Sequence, residues 1–222
     1  MSDDLDGSWG DGAAPVVPAP CLGEPGAMLV VISGPSGVGK DTILTSMREL
    51  YPDPGRRFIV TCTTRPIREG EVDGVSYHFL SLERFDDLRR RGELLEAAQV
   101  HGHWYGTPRD QVVDALGHGC DALLKIDVQG ARAVRARVPE ALLIFIMPPS
   151  IEALRGRLRS RATESDAQLA LRERDAAREL ARRDDYDHLV VNETGQIATT
   201  ARQIHEIIQA ERQSDPDRRI AV

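Results

Sequence analysis

From residue 28 onward, the chain alternates short apolar runs with longer stretches in which apolar residues recur every three or four positions. The short runs are rich in β-branched residues and are typical of buried strands, and the longer stretches are typical of amphipathic helices. This alternation predicts a parallel sheet with crossover helices. The predicted strands are residues 28–33, 57–61, 120–126, 142–146 and 188–191, and the predicted helices are residues 40–50, 82–91, 108–117, 129–137, 150–160, 166–183 and 196–212.

Three parts of the chain depart from this alternation. Residues 1–27 carry four Asp among the first eleven positions and then a run rich in Ala, Pro and Gly, which predicts a disordered leader and resembles no targeting signal. Residues 61–108, rich in Arg, Gly and Tyr, are too irregular for one crossover helix and predict a substrate-holding insertion. Residues 213–222 form a charged tail, so the ordered domain is expected to span residues 28–212.

The overall composition narrows the possible functions. The chain of 222 residues has a formal net charge of -7, which argues against a protein that holds DNA or RNA mainly through the phosphate backbone. No apolar run reaches the length that spans a membrane. Cys21, Cys62 and Cys120 are too few and too scattered for a disulfide framework or a zinc site, so a cytoplasmic protein is expected. The oligomeric state stays open.

The clearest candidate for chemistry follows the first strand, where the sequence reads GPSGVGKDT. Glycines let successive backbone N–H groups turn towards phosphate oxygens, the following helix adds its dipole, and the lysine reaches the β- and γ-phosphates. The strict motif has Ser or Thr directly after the lysine, where a hydroxyl helps to hold Mg²⁺, but here an aspartate takes that place. The predicted ATP-binding loop consists of Gly34, Pro35, Ser36, Gly37, Val38, Gly39, Lys40, Asp41 and Thr42.

A second candidate is the Pro- and Gly-containing loop TTRPIREGEVDG, which follows the second strand. Arg65 and Arg68 lie three residues apart and can converge on one phosphate, whose oxygens suit guanidinium donors. The hydroxyl of Tyr77 adds a neutral donor. Taken alone, such a loop is also typical of a solvated basic surface.

These motifs, followed by Glu96, by HWYGT at residues 103–107 and by KIDVQGA at residues 125–131, resemble those of guanylate kinases in content and order. The resemblance covers roughly residues 28–212. It implies a P-loop three-layer α/β/α fold with a parallel sheet core, a GMP-binding insertion and a mobile helical lid at about residues 155–178. It also implies ATP and GMP as substrates, with Mg²⁺ bound together with ATP, and no membrane or nucleic-acid polymer as a partner.

Carried over position by position, the resemblance implies two groups of GMP-binding residues. The groups that hold the phosphate are Arg65, Arg68, Tyr77 and Tyr105, with Glu71 as a support of their loop. The groups around the guanine are Thr61, Glu96, Thr107 and Asp127.

The carboxylate of Glu96 has a physical reason. Guanine presents N1–H and an exocyclic amine side by side, and one carboxylate can accept from both, whereas adenine offers no such pair on that edge. A site that pairs its buried polar groups rejects the wrong base by a factor on the order of 10⁴. Taken alone, Glu96 is also consistent with a solvated acid at a helix end, and Trp104 is interpreted as a packing residue.

The Arg-rich stretch that begins at Arg155 resembles the lid of the same family. Phosphoryl transfer depends mainly on cations placed against the equatorial oxygens, so arginines there carry chemistry and no general base is assigned. Other arginines of the stretch are interpreted as a solvated helical face. The predicted catalytic residues are Lys40, Arg65, Arg157, Arg161 and Arg172.

Some positions depart from the family pattern. Ala162 stands in the lid where Gly is usual, Asp41 replaces a P-loop hydroxyl, and Lys125 replaces an acid two residues before Asp127. Because side chains alternate along a strand, Lys125 and Asp127 share one face, and we expect an Asp41–Lys125 ion pair with Asp127 near the Mg²⁺ shell. The alternative is that Lys125 points into solvent and Asp41 only favours the helix N-terminus. Asn192 matches an asparagine that lies near the adenine of ATP.

The predicted function is transfer of the γ-phosphoryl group of ATP to GMP, giving ADP and GDP, in purine nucleotide metabolism. One alternative is a kinase of the same superfamily for another small phosphate, such as a ribose bisphosphate, which would keep the P-loop but lack Glu96 and the pair Tyr77 and Tyr105. Another is a non-catalytic guanylate-kinase-like binding module, which would usually have a degraded P-loop, and Lys40 opposes it.

Overall fold

The computed structural model describes residues 26–159 and 166–222. In chain order the strands are β1 (Leu29–Ser33), β2 (Arg56–Phe58), β3 (Cys62–Thr63), β4 (His78–Phe79), β5 (Leu94–Val100), β6 (His103–Pro108), β7 (Asp121–Lys125), β8 (Leu142–Met147) and β9 (His188–Val191). The helices are α1 (Lys40–Leu50), α2 (Leu82–Arg90), α3 (Arg109–Gly117), α4 (Val128–Arg137), α5 (Ile151–Arg159), α6 (Asp166–Leu180) and α7 (Ile197–Ser214).

The central sheet has five strands in the order β2-β7-β1-β8-β9, and each neighbouring pair is parallel. These are the five strands predicted from the sequence. The seven predicted helices are also present, and all bounds agree to within three residues. The prediction of an α/β fold with a parallel sheet core is therefore confirmed.

Helices cover both faces of this sheet because its strands are apolar on both sides. In β1, Leu29 and Val31 point into a core that includes residues of α3 and α4. Val30 and Ile32 point the opposite way, into a core that includes residues of α1 and α7. The alternation within one strand thus produces the three layers.

A second, smaller sheet lies in the predicted insertion. It has four strands in the order β4-β3-β6-β5, and its core includes Cys62, Phe85, Leu88 and Leu94. Trp104 stacks on Phe85 with ring centroids 5.9 Å apart, so it packs as interpreted from the sequence. Of these elements only α2 was predicted from the sequence. The strands β3 and β4 are two residues long, and burial does not alternate along β5 or β6, so no strand pattern can be recognised.

Two cysteines can be described. Cys62 is a buried free thiol that donates to the carbonyl of Gly106, and burial raises its pKa to about 12. Cys120 is disulfide-bonded. Among the described residues, no helix combines the length and apolar character needed to cross a bilayer.

A buried carboxylate joins the two ends of the described domain. Asp121 is fully buried at the start of β7, accepts a hydrogen bond of 2.9 Å from the backbone N–H of Met28, and pairs with Arg212 of α7. Burial alone raises the pKa of Asp121, and Arg212 opposes that effect. Removal of either partner would leave a buried charge without its counterion.

Candidate active site

A cleft of about 490 Å³ opens where β1 and β7 end, between the central sheet, the insertion and α6. Ligands of parallel α/β sheets bind at this edge, outside the carboxyl ends of the strands. The predicted site residues that line the cleft are Gly34, Ser36, Gly37, Gly39, Lys40, Asp41, Thr61, Arg68, Tyr77, Glu96, Tyr105, Lys125, Asp127 and Arg172. Residues from both predicted nucleotide sites therefore face one space.

The loop between β1 and α1 has the geometry of a phosphate cradle. Gly39 precedes α1 in the left-handed conformation, at φ 102°. A side chain at Gly34 would place its Cβ 2.4 Å from the carbonyl oxygen of Ile146, so only glycine fits. Lys40 Nζ donates to the carbonyls of Gly34 and Pro35, which curls the lysine over the loop. Burial lowers the pKa of Lys40, and nearby carboxylates oppose this effect.

Two predicted nucleotide contacts lie behind this loop instead of in the cleft. Asn192 is buried, donates to the carbonyl of Val38 at 2.7 Å, and accepts from the hydroxyl of Thr200 at 3.1 Å. The guanidinium of Arg157 donates to the same Val38 carbonyl at 3.2 Å and to the Asn192 carbonyl at 3.0 Å. Both side chains hold the P-loop backbone in this structure. Arg161, the third predicted lid arginine, lies outside the described residues.

A buried carboxylate forms the far end of the cleft. Glu96 of β5 is only 4% exposed, which excludes the solvated acid as an interpretation. Its Oε1 accepts from Thr107 Oγ1 at 2.7 Å, and Gly130 of α4 lies against its Oε2. Burial raises the pKa of Glu96 to about 7; the bond from Thr107 opposes the rise, and the charge of Asp127 adds to it. Glu96 is therefore close to half ionised near neutral pH.

Some of the residues predicted to bind the GMP phosphate line the cleft, and others support the loop from its other side. Arg68, Tyr77 and Tyr105 line the cleft, with the two tyrosine rings edge to face at 6.0 Å. Arg65 does not line it. Its guanidinium donates to both oxygens of Glu71, at 2.7 and 3.0 Å, and Glu71 also accepts from the backbone N–H of Arg68 at 2.8 Å. Arg65 and Glu71 together support the backbone that presents Arg68.

The two charged departures from the family pattern meet at the edge of the cleft. Lys125 Nζ donates to Asp41 Oδ1 and lies 4.5 Å from the ring centroid of Tyr77. The lysine side chain is 17% exposed and that of Asp41 is 75% exposed, so Lys125 does not point into solvent. Burial alone would lower the pKa of Lys125, but Asp41 and Tyr77 outweigh it, and the pKa is raised.

The carboxylates at this edge fit the Mg²⁺ that the resemblance implies. No cluster of three metal-binding side chains occurs in residues 26–159 and 166–222. Nucleotide-bound Mg²⁺ takes most of its ligands from phosphate and water and needs only one or two carboxylates. Asp41 and Asp127 both line the cleft, and Asp127 is oriented because its Oδ1 accepts from the Gly130 N–H at 2.9 Å. Thr42 is exposed in the first turn of α1 and is not part of the lining.

One acid of the cleft was not predicted from the sequence. Glu179 of α6 lines it, and its Oε2 accepts from the backbone N–H of Ser36 in the P-loop at 3.1 Å. Burial raises the pKa of this carboxyl group. The available signal was its spacing: Glu179 follows Arg172 by seven residues, two helical turns, so the two share a face of α6. His101, between β5 and β6, also lines the cleft.

Comparisons with known proteins agree on one family. Residues 26–211 match the family model described as guanylate kinase. A guanylate kinase of Symbiobacterium thermophilum is 45% identical over 189 residues, covering 85% of this chain and 88% of the relative. One of Gloeobacter violaceus is 48% identical over 171 residues, covering 77% and 82%. A crystal structure of guanylate kinase from Anaplasma phagocytophilum superimposes with a TM-score of 0.68 at 34% identity, covering 86% of this chain and 88% of that one.

Proposed function

Because the chain belongs to the guanylate kinase family, we propose that it transfers the γ-phosphoryl group of ATP to GMP, giving ADP and GDP. The observation that carries the proposal is one cleft lined both by a P-loop with its lysine and by the buried Glu96. The P-loop and its lysine suit a nucleoside triphosphate, and the carboxylate of Glu96 suits the donor edge of guanine.

In the proposed mechanism the residues of this chain bind, orient and supply charge. The P-loop N–H groups and Lys40 bind the β- and γ-phosphates of ATP. Arg68, Tyr77 and Tyr105 bind the phosphate of GMP, and Glu96 accepts from its guanine. A phosphate oxygen of GMP then attacks the γ-phosphorus in line. That oxygen is already anionic, so the step needs no general base, and the placed cations supply the rate enhancement.

Mg²⁺ belongs to the proposal as the partner of ATP. Asp41 and Asp127 would hold it, together with the phosphates, and when bound it neutralises charge on the donor phosphates. ATP and GMP are the proposed partners, with no membrane and no nucleic-acid polymer. We propose a cytoplasmic location because both nucleotides are metabolites of that compartment.

The domain roles are also proposals. Residues 61–108 would bind GMP, and residues 155–178 would close as a lid, which excludes water that would otherwise accept the phosphoryl group. Arg172 would face the phosphates from the lid. Arg157 would join it only on closure, since its guanidinium holds the P-loop backbone in this structure. Arg161 would supply a further positive charge from the lid.

We propose that Asp41 and Lys125, the two charged departures from the family pattern, compensate for each other by forming an ion pair. A double-mutant cycle of Asp41→Ser and Lys125→Asp, read in unfolding free energy and in Mg²⁺-dependent turnover, tests this. A charge left without its partner in a cleft is unfavourable. The losses caused by the two single changes should therefore sum to more than the loss caused by the double change, in both readouts. Strict additivity would sink the idea.

A coupled assay of ADP release, with GMP, dGMP and AMP as acceptors, tests the function. We expect turnover with GMP and little with AMP. Glu96→Gln should reduce kcat/KM for GMP by about 10- to 100-fold, since one unpaired buried polar group costs about 1–3 kcal/mol, and leave the KM for ATP within about twofold. Arg68→Ala should weaken any monophosphate acceptor. A Glu96→Gln enzyme within about twofold of wild type with GMP would refute the guanine-binding role.

A further inference from the structure

The use of lysine in this chain is selective. Of its 28 basic residues, only Lys40 and Lys125 are lysines, and both line the cleft. Arginine supplies the positive charge everywhere else. Lys125 is therefore not one of the general surface cations. An ammonium is a compact point charge that adapts to phosphate oxygens, whereas guanidinium binds in a fixed planar fork.

Lys125 lies between the two predicted phosphate sites. It is the last residue of β7, where it pairs with Ile32 of β1, one residue before the P-loop strand ends. Its Nζ contacts Asp41 in the first turn of α1 on the ATP side. The same atom lies 4.5 Å from the ring centroid of Tyr77, which belongs to the proposed GMP phosphate site. One ammonium thus contacts elements of both sites.

The partner of this ammonium is one that a phosphate can replace. The Asp41 side chain is 75% exposed, so water screens this ion pair more than it would screen a fully buried one. Phosphate oxygens also accept charge-assisted hydrogen bonds from an ammonium, and the phosphates of the two nucleotides carry more negative charge than one carboxylate. Exchange of Asp41 for a phosphate is therefore favourable once both nucleotides are bound.

We propose that Lys125 is a catalytic residue that contacts the phosphoryl group in transit and the acceptor phosphate of GMP, while Asp41 holds its ammonium in place between turnovers. The inference rests on the proposed function. In the covalent step, an oxygen of GMP forms a bond to the γ-phosphorus as the bond to the β–γ bridging oxygen breaks, and the electron pair leaves with ADP. Lys125 keeps its protons and supplies only charge.

The test compares Lys125→Met, which keeps the length of the side chain without its charge, with Arg90→Met on the outer face of α2. Arg90 is 71% exposed and does not line the cleft, so this control removes one positive charge outside the site. We expect Lys125→Met to lower kcat at saturating substrates by about 10²-fold, as loss of one preorganised charge contact does. Arg90→Met should stay within about twofold of wild type.

A binding readout separates a catalytic role from a structural one. We would measure, in EDTA, the Kd of GMP and of a dinucleotide that joins adenosine to guanosine through five phosphates. Because this ligand fills the phosphate path between the two sites, Lys125→Met should weaken it more than about 10-fold and GMP alone less than about threefold. A kcat within about threefold of wild type, or equal weakening of both ligands, would overturn the proposal.

Asp41→Ser provides a second test if Lys125→Met fails to fold. This variant removes the competing carboxylate, so it should bind the dinucleotide in EDTA at least as tightly as wild type. Weaker binding would overturn the proposal. If wild type itself neither phosphorylates GMP nor binds the dinucleotide, the proposed function fails instead.

Discussion

The ionisation of Glu96 makes GMP binding depend on pH. A carboxylate accepts from both guanine donors, whereas the protonated acid presents a hydroxyl to one of them. Burial raises the pKa of Glu96 to about 7 in the protein without nucleotide. We therefore predict that affinity for GMP increases as the pH rises through the neutral range and that binding releases a proton from Glu96.

The magnitude follows from the fraction ionised before binding. With a pKa of about 7, about one tenth of Glu96 is ionised at pH 6 and about nine tenths at pH 8. The apparent Kd is the intrinsic Kd divided by this fraction. The affinity for GMP should thus increase about 10-fold between pH 6 and pH 8, equivalent to about 1.4 kcal/mol.

Calorimetric titration of GMP at several pH values, each in two buffers of different ionisation enthalpy, measures both affinity and proton release. The phosphate of GMP also titrates, with a pKa near 6, and contributes its own pH dependence. Glu96→Gln is the matched control, because the phosphate of GMP still titrates in this variant whereas the side chain at position 96 does not. The difference between the two proteins isolates Glu96.

The free energy of unfolding should fall as the pH rises, whereas the affinity for GMP should increase. A carboxyl group whose pKa is raised on folding stabilises the fold fully below its unfolded pKa of about 4.5, and this contribution is lost as the pH rises through about 7. Wild type should therefore lose stability relative to Glu96→Gln across that window. Identical pH profiles of GMP affinity in the two proteins would refute the reasoning.

Other parts of the structure lead to further predictions. Gly130→Ala would place a Cβ 2.8 Å from Glu96 Oε2, so it should weaken GMP binding by about 10-fold without changing ATP binding. This effect is expected although Ala favours a helix over Gly by about 1 kcal/mol. Unchanged GMP affinity in calorimetry would contradict the prediction. Asp121→Ala removes the acceptor of the Met28 N–H and should lower the free energy of unfolding by about 3–5 kcal/mol in urea titration, and a loss below about 1 kcal/mol would be inconsistent with its buried role. Cys62, with its pKa of about 12, should carry about 10³-fold less thiolate at pH 8 than an ordinary thiol, and rapid alkylation of its peptide in the native protein would argue against this burial.

Much of the fold could be predicted from the chain because its signals are local. A strand buried on both faces has a nearly continuous apolar run, and a crossover helix has apolar residues at helical spacing, so both can be recognised without knowledge of their neighbours. The P-loop is equally local, since glycine spacing determines how its N–H groups turn. In the insertion, β3 and β4 are only two residues long and pair with distant segments, and burial does not alternate along β5 or β6, so none of these strands has such a pattern.

The direction of each functional side chain was decided by the tertiary structure. Arg65 and Arg68 are indistinguishable in sequence, but Glu71 holds the guanidinium of Arg65 behind the loop that presents Arg68. Asn192 and Arg157 were likewise expected to contact bound nucleotide, but both side chains donate to the P-loop backbone.

Local patterns in the chain thus predict the elements of the central sheet and the residue types that each element carries. The sequence also suggested the pairing of Asp41 with Lys125, because two opposite departures from one family pattern pointed to neighbouring strand and helix ends. Packing between distant elements decided what faces the cleft, including Glu179, which α6 brings to the Ser36 N–H from 143 residues away. Hydrogen-bond partners that far apart in the chain leave no local pattern, so only the folded structure could reveal them.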